Sequence, residues 1–131
     1  MRTSVFGRFL AVAWLLFIAA AAGAPARAGG VELVMVERAG CAYCARWNSE
    51  VAPVYDKTPE AQRAPLRRVN LDDGQPKGIV QPVRYTPTFL LMKDGGEVGR
   101  ITGYFDDGQF WGLLGDLMRR LDAAAADAKR G

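Results

Sequence analysis

The sequence predicts an α/β fold in which a central mixed β-sheet is flanked by helices. A run rich in β-branched residues, Val31–Glu37, precedes a helical segment and a second strand-like run, an order typical of two parallel strands. Later, two strand-like runs flank the turn sequence Asp94-Gly95-Gly96, which predicts an antiparallel hairpin. A sheet that combines both pairs is mixed, and its apolar faces need helices to cover them.

The first 28 residues predict a secretory signal peptide that precedes the folded domain. Two arginines stand before an uncharged apolar stretch at residues 9–22, and the segment closes with Ala26-Arg27-Ala28. This pattern is typical of export with cleavage after about Ala28. The alternative is an uncleaved signal that anchors the chain in the membrane, although the apolar stretch is shorter than the roughly 20 residues that a membrane span needs.

Export also changes the charge balance. The chain has 17 basic and 14 acidic residues, but three of the basic residues and none of the acidic ones lie in the signal segment. The mature chain, predicted as one domain at residues 29–122 with a flexible tail at residues 123–131, is therefore balanced. It has no basic stripe with interleaved aromatic residues, so nucleic acid is not an expected partner. The absence of histidine from the sequence excludes hydrolases built on a Ser-His-Asp or Cys-His arrangement.

The first helix is predicted to follow the first strand after a short turn at residues 38–40. It begins at Cys41 or Ala42 and extends to about Tyr55. Because Pro53 lies inside this segment, we expect the helix to kink or to end early.

A second, shorter helix and a strand come next. Thr58 followed by Pro59 predicts an N-cap and a first turn, opening a helix to about Arg63. Residues 66–71 have strand character, whereas residues 72–84 are polar and contain several glycines and prolines. We therefore predict a loop there, with at most one helical turn.

The last third of the chain predicts the hairpin and a closing helix. Residues 88–92 are strongly apolar, and residues 97–102 return as their partner strand. Asp106 is placed to cap the final helix, with Gln109 three residues further on. One face of this helix carries an apolar stripe, formed by Phe110, Leu113, Leu114, Leu117, Met118 and Leu121.

Both cysteines of the chain stand at the predicted start of the first helix, in the sequence Cys41-Ala42-Tyr43-Cys44. A zinc site usually needs four ligands, and the sequence has neither a third cysteine nor a histidine, so no metal is expected. A structural disulfide is a second interpretation, but a bridge between residues three apart closes a very short loop and stabilises little. The third interpretation is a redox-active dithiol.

The redox interpretation fits the position of the pair best. A cysteine at the first turn of a helix faces unpaired backbone N–H groups and the positive end of the helix. Both stabilise a thiolate, and such placement lowers a cysteine pKa from roughly 8.5 into a range of about 3.5 to 7.5. We therefore predict that Cys41 is the nucleophile and Cys44 the resolving thiol of thiol–disulfide exchange. This chemistry needs no cofactor besides the Cys41–Cys44 disulfide itself.

From about residue 31 to residue 121 the chain resembles the thioredoxin family. The resemblance rests on the strand–CxxC–helix unit, on a Thr86-Pro87 pair ahead of an apolar strand, and on Gly103 after the hairpin. It implies a thioredoxin fold and a thiol–disulfide oxidoreductase. It also implies a cis peptide bond between Thr86 and Pro87, next to the dithiol, where the ordinary alternative is a proline at a strand start.

The same resemblance implies a substrate-binding surface. Thr86 and Pro87 form its docking edge, and Ala42 and Tyr43 between the cysteines complete it. For Tyr43 the alternative is simple packing at the rim of the motif. Trp47 is predicted to belong to the core because of its helical spacing.

Two departures from thioredoxin concern proton transfer and the motif itself. Thioredoxin has Gly-Pro between its cysteines, where this chain has Ala42-Tyr43. Thioredoxin also has a buried aspartate six residues before the first cysteine. Met35 stands at that position here and cannot relay a proton. Glu37 is the nearest acid and is the candidate proton relay for Cys44. The alternative is a solvent-exposed glutamate at the end of a strand.

Within the family, the chain most resembles exported thioredoxin-like proteins of bacterial sulfur-oxidation (Sox) gene clusters. They share the pattern Glu-Arg-x-Gly-Cys-x-Tyr-Cys-x-x-Trp, found here at residues 37–47. That resemblance implies a periplasmic reductase that keeps a sulfur-oxidation carrier protein active, acts on protein thiols or disulfides, and receives electrons from a membrane-embedded thiol donor. Two alternatives stay open: a dithiol oxidase or isomerase of protein folding, and a non-catalytic binding module of the same fold.

Overall fold

The computed structural model describes residues 30–131, so the predicted signal peptide lies outside the described residues. The strands are β1 (Val31–Glu37), β2 (Leu66–Asn70), β3 (Thr88–Lys93) and β4 (Gly96–Thr102). The helices are α1 (Ala42–Glu50), α2 (Ala52–Tyr55), α3 (Pro59–Arg63) and α4 (Asp107–Arg130), with a short 3-10 helix at Leu71–Asp73. The strands form one sheet in the order β2-β1-β3-β4. Because β1 pairs parallel with β2 and antiparallel with β3, the sheet is mixed, and the predicted α/β class is confirmed.

The central strand β1 is buried on both faces of the sheet. Leu33 and Met35 point to one face and Val34 and Val36 to the other, and all four side chains are fully buried. This alternation follows from the two-residue period of a strand. The core therefore consists of two apolar clusters, one on each side of the sheet.

All four helices contribute to the cluster on the first face. At its centre Trp47 is fully buried, with its ring centroid 5.1 Å from that of Phe89 and 5.6 Å from that of Phe110. The prediction that Trp47 belongs to the core is confirmed. Helix α4 approaches β4 closely at Gly99, where an added Cβ would lie 2.6 Å from a methyl carbon of Leu117.

The helix boundaries follow from local sequence. Helix α1 ends at Glu50, and α2 begins at Ala52 with Pro53 in its first turn, which confirms the early end expected from the proline. Thr58 caps α3, because its Oγ1 accepts a hydrogen bond from the Ala61 N–H at 3.2 Å. Likewise, an Asp106 carboxylate oxygen accepts a hydrogen bond from the Gln109 N–H at 2.7 Å and caps α4.

Two predicted boundaries are wrong. Leu71 does not end β2 but begins the 3-10 helix, where the Asn70 side chain accepts a hydrogen bond from the Asp72 N–H at 2.9 Å. Helix α4 does not end near Leu121 but continues to Arg130. Alanine is the strongest helix former, and basic residues in the last turn complement the helix dipole, so the segment continues the helix. The flexibility of residues 123–131 stays a prediction.

The second face of the sheet is covered by the segment between the 3-10 helix and β3, which we call the β2–β3 loop (residues 74–87). Val83 is buried against this face, and Ile79 packs beside it. The Gln75 side chain holds the loop in shape, because it donates to the Val83 carbonyl at 3.0 Å and accepts from the Val83 N–H at 2.8 Å.

The β2–β3 loop is also fixed to the hairpin. Gly78 has a φ of +75°, and an added Cβ there would lie 1.9 Å from the Gly95 carbonyl oxygen, so only glycine fits. Glu97 accepts a hydrogen bond from the Val80 N–H at 2.8 Å and pairs with Arg100, whose Nε lies 2.6 Å from its carboxylate. The Glu97 side chain is only 4% exposed, so this pair is shielded from water.

None of the helices described between residues 30 and 131 is both long and apolar enough to cross a membrane.

The environment of Glu97 predicts acid sensitivity. Burial raises its pKa, but hydrogen bonds from Arg100 and the Val80 N–H outweigh burial and hold the pKa below its usual value. A lowered carboxyl pKa stabilises the fold above its unfolded value of about 4.5, and the stabilisation is lost as the pH falls through the folded pKa. Urea unfolding is therefore expected to show a smaller loss of stability below about pH 4.5 in Glu97→Gln than in the native chain.

The control is Asp73→Asn, which removes an exposed carboxylate just before the same loop. It should lose stability with falling pH as steeply as the native chain does. If the free energy of unfolding depends on pH in the same way in Glu97→Gln and in the native chain, the Glu97 pair does not anchor the loop.

Candidate active site

The two cysteines are joined in a disulfide at the N-terminus of α1. Cys41 is the N-cap residue, and its Sγ accepts a hydrogen bond from the Cys44 N–H at 3.1 Å. The two Cα atoms are 5.2 Å apart, within the usual range for a disulfide. The sulfur of Cys41 therefore occupies the place where a capping oxygen normally satisfies the free N–H groups of a helix.

The two sulfur-bearing residues differ in exposure. Cys44 is 3% exposed and lies in the apolar cluster below α1, whereas Cys41 is half-buried at the edge of that cluster. An approaching substrate therefore reaches Cys41 first. The division of roles between a nucleophile at Cys41 and a resolving thiol at Cys44 stays a prediction.

An open hollow of about 370 Å³ lies beside the disulfide, and Glu37, Cys41, Ala42 and Cys44 are among its lining residues. The structure thus brings the proposed proton relay to the same surface depression as both cysteines. Glu37 is the last residue of β1, its side chain is 25% exposed and it pairs with Arg68 at 3.0 Å, and its role as a proton relay stays a prediction.

Two further residues belong to the surroundings of this hollow and were not predicted from the sequence: Arg68, which pairs with Glu37, and Asn48. The Arg68 guanidinium, on β2, also contacts the Met35 sulfur at 3.5 Å and lies 5.7 Å from the centre of the Trp47 ring. Asn48 lines the hollow, and its buried Oδ1 has no hydrogen-bond partner among residues 30–131. Its spacing of four residues from Cys44, which places both on one helix face, is the signal that identifies Asn48.

The predicted cis peptide bond between Thr86 and Pro87 is present, directly before β3. Val36 pairs with Thr88 in the sheet, so this peptide lies at the same edge as the end of β1, from which the chain continues to Cys41. Pro87 is buried and Thr86 is half-buried. Their predicted role as a docking edge stays a prediction.

A second hollow, of about 270 Å³, lies on the other side of the motif. Tyr43, Gly103, Tyr104 and Phe105 are among its lining residues. The Gly103 N–H donates a hydrogen bond to the Pro87 carbonyl at 2.7 Å, which connects this hollow to the cis peptide. Tyr43 is 60% exposed, and its predicted role in substrate binding stays a prediction.

A polar cluster that was not predicted from the sequence joins α1 to the segment after β4. Glu50, at the end of α1, accepts hydrogen bonds from the Tyr104 hydroxyl at 2.5 Å and from the Arg46 Nε at 2.8 Å. The Arg46 Nη1 also donates to the Phe105 carbonyl at 2.7 Å. Only the four-residue spacing of Arg46 and Glu50 is visible in the sequence.

Within residues 30–131, no three acidic, cysteine or histidine side chains are placed so as to hold a metal ion. The site therefore consists of the disulfide, two hollows on either side of the motif and the cis peptide at the adjacent sheet edge.

Comparisons with known proteins agree on the family. The model of the thioredoxin-like domain family matches residues 20–117. Among solved structures, the periplasmic thioredoxin SoxS from Paracoccus pantotrophus, in its reduced form, is 42% identical with a TM-score of 0.66, and the match covers 70% of this chain and 98% of that chain. No curated protein sequence matches the chain significantly.

Two more distant structures show the fold alone. A thioredoxin from Fasciola hepatica is 21% identical with a TM-score of 0.50, covering 67% of this chain and 81% of its own. A thioredoxin-fold protein from Helicobacter pylori is 19% identical with a TM-score of 0.51, covering 72% of this chain and 81% of its own.

Proposed function

Because the chain belongs to the thioredoxin-like domain family and is a thiol–disulfide oxidoreductase, we propose that it acts in the periplasm and reduces protein disulfides or mixed disulfides. The observation that carries this proposal is the Cys41–Cys44 disulfide at a helix N-terminus, with Cys41 half-buried and Cys44 buried. Two further observations support the compartment. Residues 1–28 have the pattern of a cleaved signal, and the 42% identical SoxS is a periplasmic thioredoxin.

The first step uses the reduced form of the protein. The Cys41 thiolate, stabilised by the N–H groups of the first turn of α1, attacks one sulfur of a substrate disulfide. A mixed disulfide forms between Cys41 and that sulfur, and the other substrate sulfur leaves as a thiolate and takes up a proton. Thr86 and Pro87, with Ala42 and Tyr43, hold the substrate chain during this attack.

The second step releases the product. Cys44 loses its proton and attacks the Cys41 sulfur, which forms the intramolecular disulfide and expels the second substrate thiolate. The substrate gains two electrons and two protons, and the protein is left in the oxidised form that the structure describes. No bound cofactor takes part in either step.

Turnover requires an external dithiol that reduces the Cys41–Cys44 disulfide again. We propose a membrane-embedded thiol donor, because a periplasmic protein has no direct access to cytoplasmic reductants. The proposed substrate is a cysteine-bearing carrier protein of sulfur oxidation, and the likeness to SoxS supports this choice.

The proposal predicts different fates for two cysteine variants. Cys41→Ser should lose insulin-reducing activity by roughly 100-fold or more, because a serine hydroxyl is a poor nucleophile at neutral pH. Cys44→Ala should complete the first attack but not the release, so it accumulates a mixed disulfide that non-reducing gel electrophoresis detects. When Cys44→Ala is produced in the periplasm, the trapped protein identifies the substrate, and we expect a sulfur-oxidation carrier.

Ser49→Ala, on an exposed part of the same helix, is the control and should retain activity. Insulin reduction that is indifferent to both cysteine substitutions would instead favour the non-catalytic binding module.

If the protein acts as a reductase, its Cys41–Cys44 disulfide should have a strongly negative redox potential. A titration in glutathione buffers should give a midpoint more negative than about −200 mV, because reductases such as thioredoxin lie near −270 mV. A midpoint close to the value of about −120 mV for a strong oxidant would show that the protein oxidises folding proteins instead.

We further propose that Glu37 accepts the proton of Cys44 before the second step. A buried thiol needs a base within reach, directly or through one water molecule, and Glu37 lines the same hollow as Cys44. The ion pair with Arg68 holds the Glu37 carboxylate in place at the end of β1. Met35, at the position of the thioredoxin aspartate, is fully buried and has no proton to exchange.

Substitution of Glu37 tests this role. Glu37→Gln keeps the shape of the side chain but removes the base, so the decay of the mixed disulfide in a single turnover should slow by roughly 100-fold. Glu32→Gln is the matched control, because Glu32 forms a similar pair with a β2 arginine, Arg67, at the other end of β1. If the mixed disulfide decays at an unchanged rate in Glu37→Gln, Glu37 has no role in proton transfer.

A further inference from the structure

The segment that connects β4 to α4 (residues 103–106, the β4–α4 loop) borders the proposed active site on one side. At its first residue, the Gly103 N–H donates to the Pro87 carbonyl at 2.7 Å. At its last residue, Asp106 caps α4. Between these two fixed points, the position of the loop depends on what Tyr104 and Phe105 contact.

Three side chains attach the middle of this loop to α1, and we call them the Arg46 cluster (Arg46, Glu50 and Tyr104). Arg46 donates to the Phe105 carbonyl at 2.7 Å and to Glu50 at 2.8 Å, so it connects the loop backbone to the helix. The Tyr104 hydroxyl donates to the other Glu50 oxygen at 2.5 Å. The Arg46 guanidinium also lies 5.8 Å from the centre of the Tyr104 ring, a cation–π contact.

The charge states of Glu50 and Tyr104 strengthen the hydrogen bonds that attach the β4–α4 loop to α1. Hydrogen bonds from Tyr104 and then from Arg46 hold the Glu50 pKa below its usual value, so Glu50 is a carboxylate at neutral pH. Burial and the Glu50 hydrogen bond raise the Tyr104 pKa, which keeps its hydroxyl protonated and able to donate. Hydrogen bonds to a charged group are stronger than neutral ones.

The attached loop carries an exposed aromatic residue. Phe105 is 69% exposed although its carbonyl is fixed by Arg46, and Tyr43, between the two cysteines, is 60% exposed. Both rings line the hollow of about 270 Å³ that connects through Gly103 to Pro87. Exposed aromatic residues at the rim of a depression are typical of sites that bind apolar side chains.

We propose that the Arg46 cluster is a positioning device that holds Phe105 opposite Tyr43, and that the hollow between them selects disulfides flanked by an apolar side chain. This inference rests on the proposed reductase function. Phe105 contacts the substrate and determines specificity, whereas Arg46, Glu50 and Tyr104 act through Phe105. Without the cluster, the loop has to be ordered at the moment of binding, which weakens docking.

Two peptides test the proposal, Gly-Leu-Cys-Gly and Gly-Ser-Cys-Gly, each with its cysteine joined by a disulfide to 5-thio-2-nitrobenzoate. Release of the yellow thiolate in a single turnover of the reduced protein, followed over a range of peptide concentrations, gives the maximal rate constant, the half-saturating concentration KM and their ratio kcat/KM for each peptide without an external reductant. The native protein should prefer the leucine peptide by about fivefold or more, as expected for burial of one apolar side chain. The difference should lie mainly in KM, because the reacting sulfurs are the same.

Variants then distinguish the residues that position Phe105 from Phe105 itself, which contacts the substrate. Arg46→Gln should reduce the preference to about twofold or less, and Tyr104→Phe should reduce it less, because it removes one hydrogen bond only. Phe105→Ala should abolish the preference, and Phe105→Leu should restore most of it. The double variant Arg46→Gln with Phe105→Ala should lose no more preference than Phe105→Ala alone, because Arg46 acts through Phe105.

Arg63→Gln is the matched control, since it breaks an exposed ion pair with Asp122 outside the site, and it should keep the native preference. An equal rate on both peptides in the native protein, or a preference that survives Phe105→Ala, would overturn the inference while leaving the reductase function intact. A preference lost in Phe105→Ala but unchanged in Arg46→Gln would overturn the role of the cluster. Failure of the native protein to reduce either peptide would contradict the proposed function itself.

Discussion

The hydrogen bond from the Cys44 N–H to the Cys41 sulfur is the contact on which the active site depends. It exists because β1 is buried on both faces and ends at a short turn, so the chain must enter α1 at the edge of the sheet. Most helices begin with a serine, threonine, aspartate or asparagine cap. Here the Cys41 sulfur takes that place, so the atom that caps the helix is also the proposed nucleophile.

The surroundings of that sulfur are held by contacts that lie away from it. On one side, the β2–β3 loop is fixed by Gln75 and by the shielded pair of Glu97 and Arg100, and this loop leads to the cis peptide. On the other side, the Arg46 cluster fixes the β4–α4 loop. The disulfide thus lies between two loops that have little regular structure of their own but are each attached by charged or amide side chains.

The sequence allowed the elements and the dithiol to be predicted because their signals are local. Pro53, Thr58 and Asp106 act within one helical turn, and the residues at 94–96 define a tight turn. The end of α4 was missed because alanine and charged residues are compatible with either a helix or a solvated tail, and the helix prevails over most of the tail.

The polar contacts around the site were missed for a different reason. Arg46 meets the Phe105 carbonyl across 59 residues of sequence, Tyr104 meets Glu50 across 54, and Arg68 meets Glu37 across 31. No periodicity in a single sequence pairs residues at such separations, because the fold alone brings them together. Glu37 was nevertheless named as the candidate proton relay because it stands only four residues before Cys41, and that role stays a prediction.

The unequal exposure of the two cysteines has a consequence for the path of the reaction. Any incoming sulfur, from a substrate or from the electron donor, meets Cys41 and not the buried Cys44. By microscopic reversibility, oxidation and reduction of the protein then pass through mixed disulfides on the same atom. The geometry therefore determines the route and leaves the direction of electron flow to the relative potentials of the partners that meet at Cys41.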